Sequence, residues 1–165
     1  MEVELMIILI TFLIIVIFVM AIVIYILNKN IIKKHYMGSR YKQYYNILTQ
    51  WIKNKNRNRN ISSYLKNKNI NSIAIYGMGE LGIALYEELK DTDIRIIYLV
   101  DKNANHIYYG VNESHLINVD EVSAQEEVDA IIVTPIYDYD KIKETLVNGG
   151  VKTNIISLEN IIYDL

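Results

Sequence analysis

Three glycines, Gly77, Gly79 and Gly82, stand in G-x-G-x-x-G spacing within SIAIYGMGELGIALYEELK, residues 72–90. An apolar strand pattern, residues 73–76, leads into them, and a helical pattern with Leu81, Leu85 and Leu89 leads out. In that order the motif is the signature of a nucleotide phosphate site. One glycine allows a tight turn, one lets a pyrophosphate approach the backbone, and one lets the helix pack closely on the strand. The unpaired N–H groups and the dipole of the helix start then favour an anion. The turn residues Gly77, Met78, Gly79, Glu80, Leu81 and Gly82 are therefore the first candidate ligand contacts.

A carboxylate at the end of the next strand, about twenty residues further on, completes such a site by binding ribose hydroxyls. Asp101 stands 22 residues after Gly79, at the end of the apolar run 94–100. An acid there disfavours a 2′-phosphate and suits an NAD-type ligand, while Lys102 beside it blurs that preference. Thr134, at the tip of another apolar run, would border the crevice. A competing reading needs no ligand, with the glycines forming only a turn and Asp101 capping a loop. Glu80 weighs against a diphosphate, because its carboxylate sits where the anion would lie. Met78 is also bulkier than the small residue usual between the first two glycines.

Catalytic candidates are few. Tyr137 and Lys141 have the Y-x-x-x-K spacing of an acid–base pair, but a chain with 14 tyrosines produces it easily. His35, His106 and His115 are dispersed without metal-ligand spacing, and the chain has no cysteine, which excludes disulfides and thiolate chemistry.

The elements that must position these residues follow from hydrophobic periodicity. Strands are expected at 73–76, 94–100, 115–118, 130–134 and 154–157, the fourth stopped by Pro135, the one proline. Between them helical patterns cover 81–90, 119–128, 139–147 and 159–164, the third ending at Gly149 and Gly150. Alternating strands and helices imply an α/β fold with a parallel sheet of about five strands and right-handed crossovers. This domain, residues 71–165, leaves no room for a second.

Residues 5–27 carry no charge, and as a helix they would span about 34 Å, enough for a bilayer core of about 30 Å. The stretch reads as a transmembrane helix without a small-residue packing motif. The acidic start (Glu2, Glu4) and the lack of a cleavage site argue against a signal peptide. Net charge is −2, yet residues 28–79 hold eleven Lys or Arg and no acid, whereas residues 80–165 hold 17 acids and six bases. Lys29, Lys33, Lys34, Arg40 and Lys42 follow the span and no cation precedes it. The positive-inside bias puts the C-terminal part in the cytoplasm, so the sequons at Asn60 and Asn112 are taken as chance. Residues 28–70 form a basic juxtamembrane region. Within it, 41–53 reads as an amphipathic helix with Tyr41, Tyr44, Tyr45, Leu48 and Ile52 on one face and Trp51 at its margin. That face could lie on the bilayer, pair with a second copy, or pack on the domain. Residues 53–60 (KNKNRNRN) read as a solvated linker or frayed helix end suited to anionic lipid, and 62–68 as a short capped helix. Nucleic acid is not expected as a partner, since the acidic domain repels phosphate backbones.

With IAIYGMGELG, VDKNA and DAIIVTPIYDYD, residues 61–165 resemble the small Rossmann-type domains of bacterial polysaccharide-biosynthesis proteins. These are the membrane-linked nucleoside-diphosphate-sugar epimerases/dehydratases and the initiating sugar transferases. The resemblance implies a cytoplasmic site for NAD or a nucleotide sugar at Gly77, Gly79, Gly82 and Asp101. It also implies a membrane glycan-pathway enzyme as partner. The full enzymes carry a catalytic domain beyond this unit. The expectation is thus an accessory or regulatory module without turnover of its own, the alternatives being a minimal oxidoreductase or epimerase completed by a second copy or partner, and a non-binding interaction domain.

Overall fold

A computed structural model describes residues 2–104 and 116–165. The chain divides into two units, Met1–Tyr44 and Tyr45–Leu165. The first consists of helix α1, Glu2–Asn56, whose last turns belong to the second unit. Every large apolar side chain from Val3 to Leu27 is exposed. By length and composition this helix can cross a membrane.

The second unit is built on a five-stranded, all-parallel sheet in the order β3-β2-β1-β4-β5. The strands are β1 (Ser72–Tyr76), β2 (Arg95–Val100), β3 (Leu116–Ile117), β4 (Ala130–Val133) and β5 (Asn154–Ser157). Central β1 and β4 are buried along their whole length, as their unbroken apolar runs demand of strands covered on both faces. Four helices connect and cover them: α2 (Ile61–Asn67), α3 (Glu80–Leu89), α4 (Tyr139–Asn148) and α5 (Leu158–Asp164). Ala74 and Tyr76 of β1 join Ile131, Val133, Ile142 and Leu146 in one core cluster under α4. Successive strand residues point to opposite faces, so Ile73 and Ile75 serve the other side, where α3 packs on β1.

Each expected strand is present, and His106, His115 and the Asn112 sequon lie outside the described residues. The expected helix over 119–128 is instead a six-residue 3-10 helix, Val119–Ala124. Val122 is buried in the core and Val119 packs partly against it, while Asp120, Glu121, Glu126 and Glu127 are exposed. After Val122 no large apolar residue follows until Val128, so packing does not carry the helix further.

The end of α1 differs in which face it buries. Tyr41, Tyr45, Leu48 and Ile52 point outward, and Ile47, Trp51 and Asn54 pack on the domain. Two polar anchors account for the choice: the Trp51 indole N–H donates to Glu88 at 2.8 Å, and the Asn54 amide donates to the Ile162 carbonyl at 2.7 Å. The stretch expected as a linker is accordingly short. Helix α1 runs to Asn56, Asn58 turns the chain at φ 56°, Arg59 donates to the Leu165 carbonyl, and Asn60 caps α2.

Candidate functional site

Parallel strands all end on one edge, and the glycine turn lies there, between β1 and α3. Gly77 adopts φ +93°, and a Cβ on it would come within 2.5 Å of the Pro135 ring. Its N–H donates to the Val100 carbonyl at 2.7 Å. Thr134, nearly fully buried, donates its hydroxyl to the Gly77 carbonyl at 2.6 Å. Gly77 and Thr134 thus lock the turn to the ends of β2 and β4. A Cβ on Gly82 would lie 1.9 Å from the Gly77 carbonyl oxygen, so α3 can start only where that residue is bare.

Gly79 is different. Its φ is −73°, open to any residue, and a Cβ on it would meet nothing within 4 Å. It precedes α3 as N-cap and offers no side-chain acceptor to the helix N–H groups. Neither strain nor packing requires a glycine there, and the N-cap position favours one only modestly.

The other sequence candidates divide into two groups. Met78 is fully buried and Leu81 nearly so, so both belong to the core and offer a ligand only their backbone. Glu80 is exposed at the first turn of α3. Asp101 is brought to the turn, but its carboxylate already accepts hydrogen bonds from the Met78 N–H at 2.7 Å and the Asn103 N–H at 2.8 Å. It therefore fastens the turn itself. Carboxylate oxygens carry about four acceptor positions, which leaves room for a hydroxyl as well.

Lys102 turns instead toward a cavity of about 400 Å³ on the α4 side of the same edge. Tyr76, Asn118, Asp120, Lys141 and Thr145 also line it. Burial, then the Asp101 charge, pushes the Tyr76 hydroxyl above its ordinary pKa, so it stays a neutral phenol. The sequence reading missed Asn118, Asp120 and Thr145. A signal did exist on α4, where Lys141 and Thr145 are one turn apart. Of the Tyr137–Lys141 pair, only Lys141 lines the cavity.

Residues 69–157, which run from just before β1 through β5, match a family described as C2185-like, N-terminal. No curated protein matches the chain.

Proposed function

We propose, for a chain that belongs to the C2185-like, N-terminal family, the role of a membrane-anchored nucleotide-binding module. The ligand would be NAD-like or a nucleotide sugar. The observation that carries this reading is Gly79, a glycine that its own fold does not need, at the mouth of a strand–turn–helix. The strand order supports a Rossmann-like assignment, because β1 and β4 flank the point where connections reverse, and ligands of such sheets bind there. A diphosphate would rest on the uncapped N–H groups of α3, with Asp101 accepting from a ribose hydroxyl and the remainder of the ligand reaching toward Lys102. Glu80 would weaken that contact, which suits a sensor of modest affinity.

The charge division supports a cytoplasmic position for the second unit, and the resemblance noted above supports an accessory or regulatory role beside a membrane glycan-pathway enzyme. Calorimetric titration of the full chain in nanodiscs with NAD, NADH and UDP-sugars tests the reading. Binding of at least one, lost in Gly79→Val without a change in thermal unfolding, is the expected result. No heat with any of them would overturn it.

A further inference from the structure

We propose that the cavity beside the glycine turn reads the base of the bound nucleotide, and that it takes a base with ring carbonyls (uracil, thymine or guanine) in preference to adenine. This rests on the nucleotide reading above and decides within it. The ligand is then a nucleoside-diphosphate sugar of such a base and not NAD, whose purine is adenine.

The order of the strands sets where a base must lie. Neighbouring strands run about 4.8 Å apart, and β1, β2 and β3 follow one another across the sheet. A diphosphate on the start of α3 lies after β1, and a ribose at Asp101 lies after β2. The group beyond the ribose therefore falls toward the end of β3. The cavity of about 400 Å³ is bounded there by Lys102, next in the chain after Asp101, and by Asn118, the first residue past β3. Tyr76, the last residue of β1, borders it as well.

The cavity is built for a polar guest. Tyr76 is only 3 % exposed, yet its hydroxyl has no hydrogen-bond partner among the described residues. Among those residues no side-chain oxygen or nitrogen is both sealed from solvent and unpaired, so the hydroxyl faces the open space of the cavity. A buried polar group in that position calls for a partner from outside the fold. Burial, then the Asp101 charge, keeps this phenol protonated and able to donate. Lys102 and Lys141 bring two ammonium groups to the same space, and neither is held in an ion pair or side-chain hydrogen bond among the described residues.

Such a set of donors favours acceptors on the guest. Uracil and thymine carry two ring carbonyls with an N–H between them, and guanine carries a carbonyl beside an N–H. Lysine pairs with the guanine carbonyl wherever it reads that base directly. Asp120, which also lines the cavity, can accept from the ring N–H. Adenine reverses the pattern. Its one exocyclic group is an amine, a donor that would face donors.

Calorimetric titration of the full chain in nanodiscs with UDP, GDP and ADP isolates the base, because the three share ribose and diphosphate. UDP and GDP should bind about tenfold more tightly than ADP, the scale of one hydrogen bond to a charged group. Lys141 is exposed, so Lys141→Met should leave thermal unfolding unchanged. It should lower the affinity for UDP and GDP by about tenfold and spare that for ADP. ADP bound as tightly as the other two, or a Lys141→Met effect equal on all three (none included), would overturn the base assignment and leave the nucleotide reading standing. No binding of any of the three would remove both.

Discussion

The three glycines of one motif are under three different constraints, and substitution separates them. Gly77→Ala places a side chain at φ +93° against Pro135, and Gly82→Ala drives a methyl into the Gly77 carbonyl. Each is expected to destabilise the domain by about 1–3 kcal/mol, the usual scale of backbone strain and overpacking. Gly79→Ala meets no atom. It should cost no more than about 1 kcal/mol, the scale of a weakened N-cap, and still lose nucleotide affinity. Thermal unfolding followed by circular dichroism, run beside the titration, checks both halves, and equal destabilisation by all three would remove Gly79 from the site. Asp129 is a second residue with a specific expectation. Its carboxylate accepts from the Asn71 and Ser72 N–H groups, each at 2.8 Å, and so fastens the start of β1. Those backbone bonds hold its pKa below the ordinary carboxylate value. A lowered folded-state pKa gives stability that is present above the unfolded value of about 3.9 and lost as pH falls through the folded value. Asp129→Asn should therefore be less stable than the parent at neutral pH, with the gap closing in acid. Urea midpoints measured down the pH scale check this, and a gap that widens in acid would contradict it.

At the scale of elements, α3 joins the two ends of the domain's architecture. Its first turn borders the glycine site, and near its last turn Glu88, nearly buried, accepts from Trp51, from the Ile61 N–H and from Lys55. Glu88→Ala leaves two buried N–H donors without a partner, at about 1–3 kcal/mol each where no water enters. The expected outcome is a less stable domain and a red-shifted Trp51 emission as the end of α1 loosens. An unshifted emission would show that Ile47 and Asn54 suffice to hold the helix. The same elements show what could be read beforehand. Strands were legible because β1, β2 and β4 are largely apolar runs and β5 carries the Ile155–Ile156 pair, and the turn because Gly77 and Gly82 have no substitute. Asp101 was legible by position, but its grip on the Met78 N–H was not, because a side chain's partner depends on where the strands bring it. The buried face of α1 was hidden for a related reason. It is chosen by Trp51 and Asn54, whose partners lie 37 and 108 residues away, while the apolar count favoured the outward face. The helix expected over 119–128 is shorter and of 3-10 type, Val119–Ala124, because polarity without periodicity carries no length signal.

Across the whole chain the charge division has a consequence that can be measured. Residues 28–79 carry about +11 and residues 80–165 about −11 by formal count. Cations beside an apolar helix are retained on the cytoplasmic side, and those within about 15–20 residues of its end weigh most. Lys29, Lys33 and Lys34 fall in that window, and the short N-terminal flank has two acids and no Lys or Arg. Single cysteines in the cysteine-free chain report the outcome. Asn148→Cys, at an exposed position ending α4, should resist a membrane-impermeant maleimide in intact cells and react after lysis. Glu2→Cys should react in intact cells. Replacing Lys29, Lys33 and Lys34 with Gln should raise the fraction of inverted chains, because acids contribute little to orientation and Arg40 and Lys42 alone remain near the span. In the cytoplasmic orientation the carboxylates of the acidic domain are repelled by anionic lipid, while the basic segment between span and domain is attracted by about 1 kcal/mol per cation near the surface. Raising the salt should therefore weaken contact of the basic segment with anionic vesicles and leave insertion of the apolar helix unchanged. Labelling of Asn148→Cys before lysis would place the proposed nucleotide site outside the cell and refute the proposed cytoplasmic module.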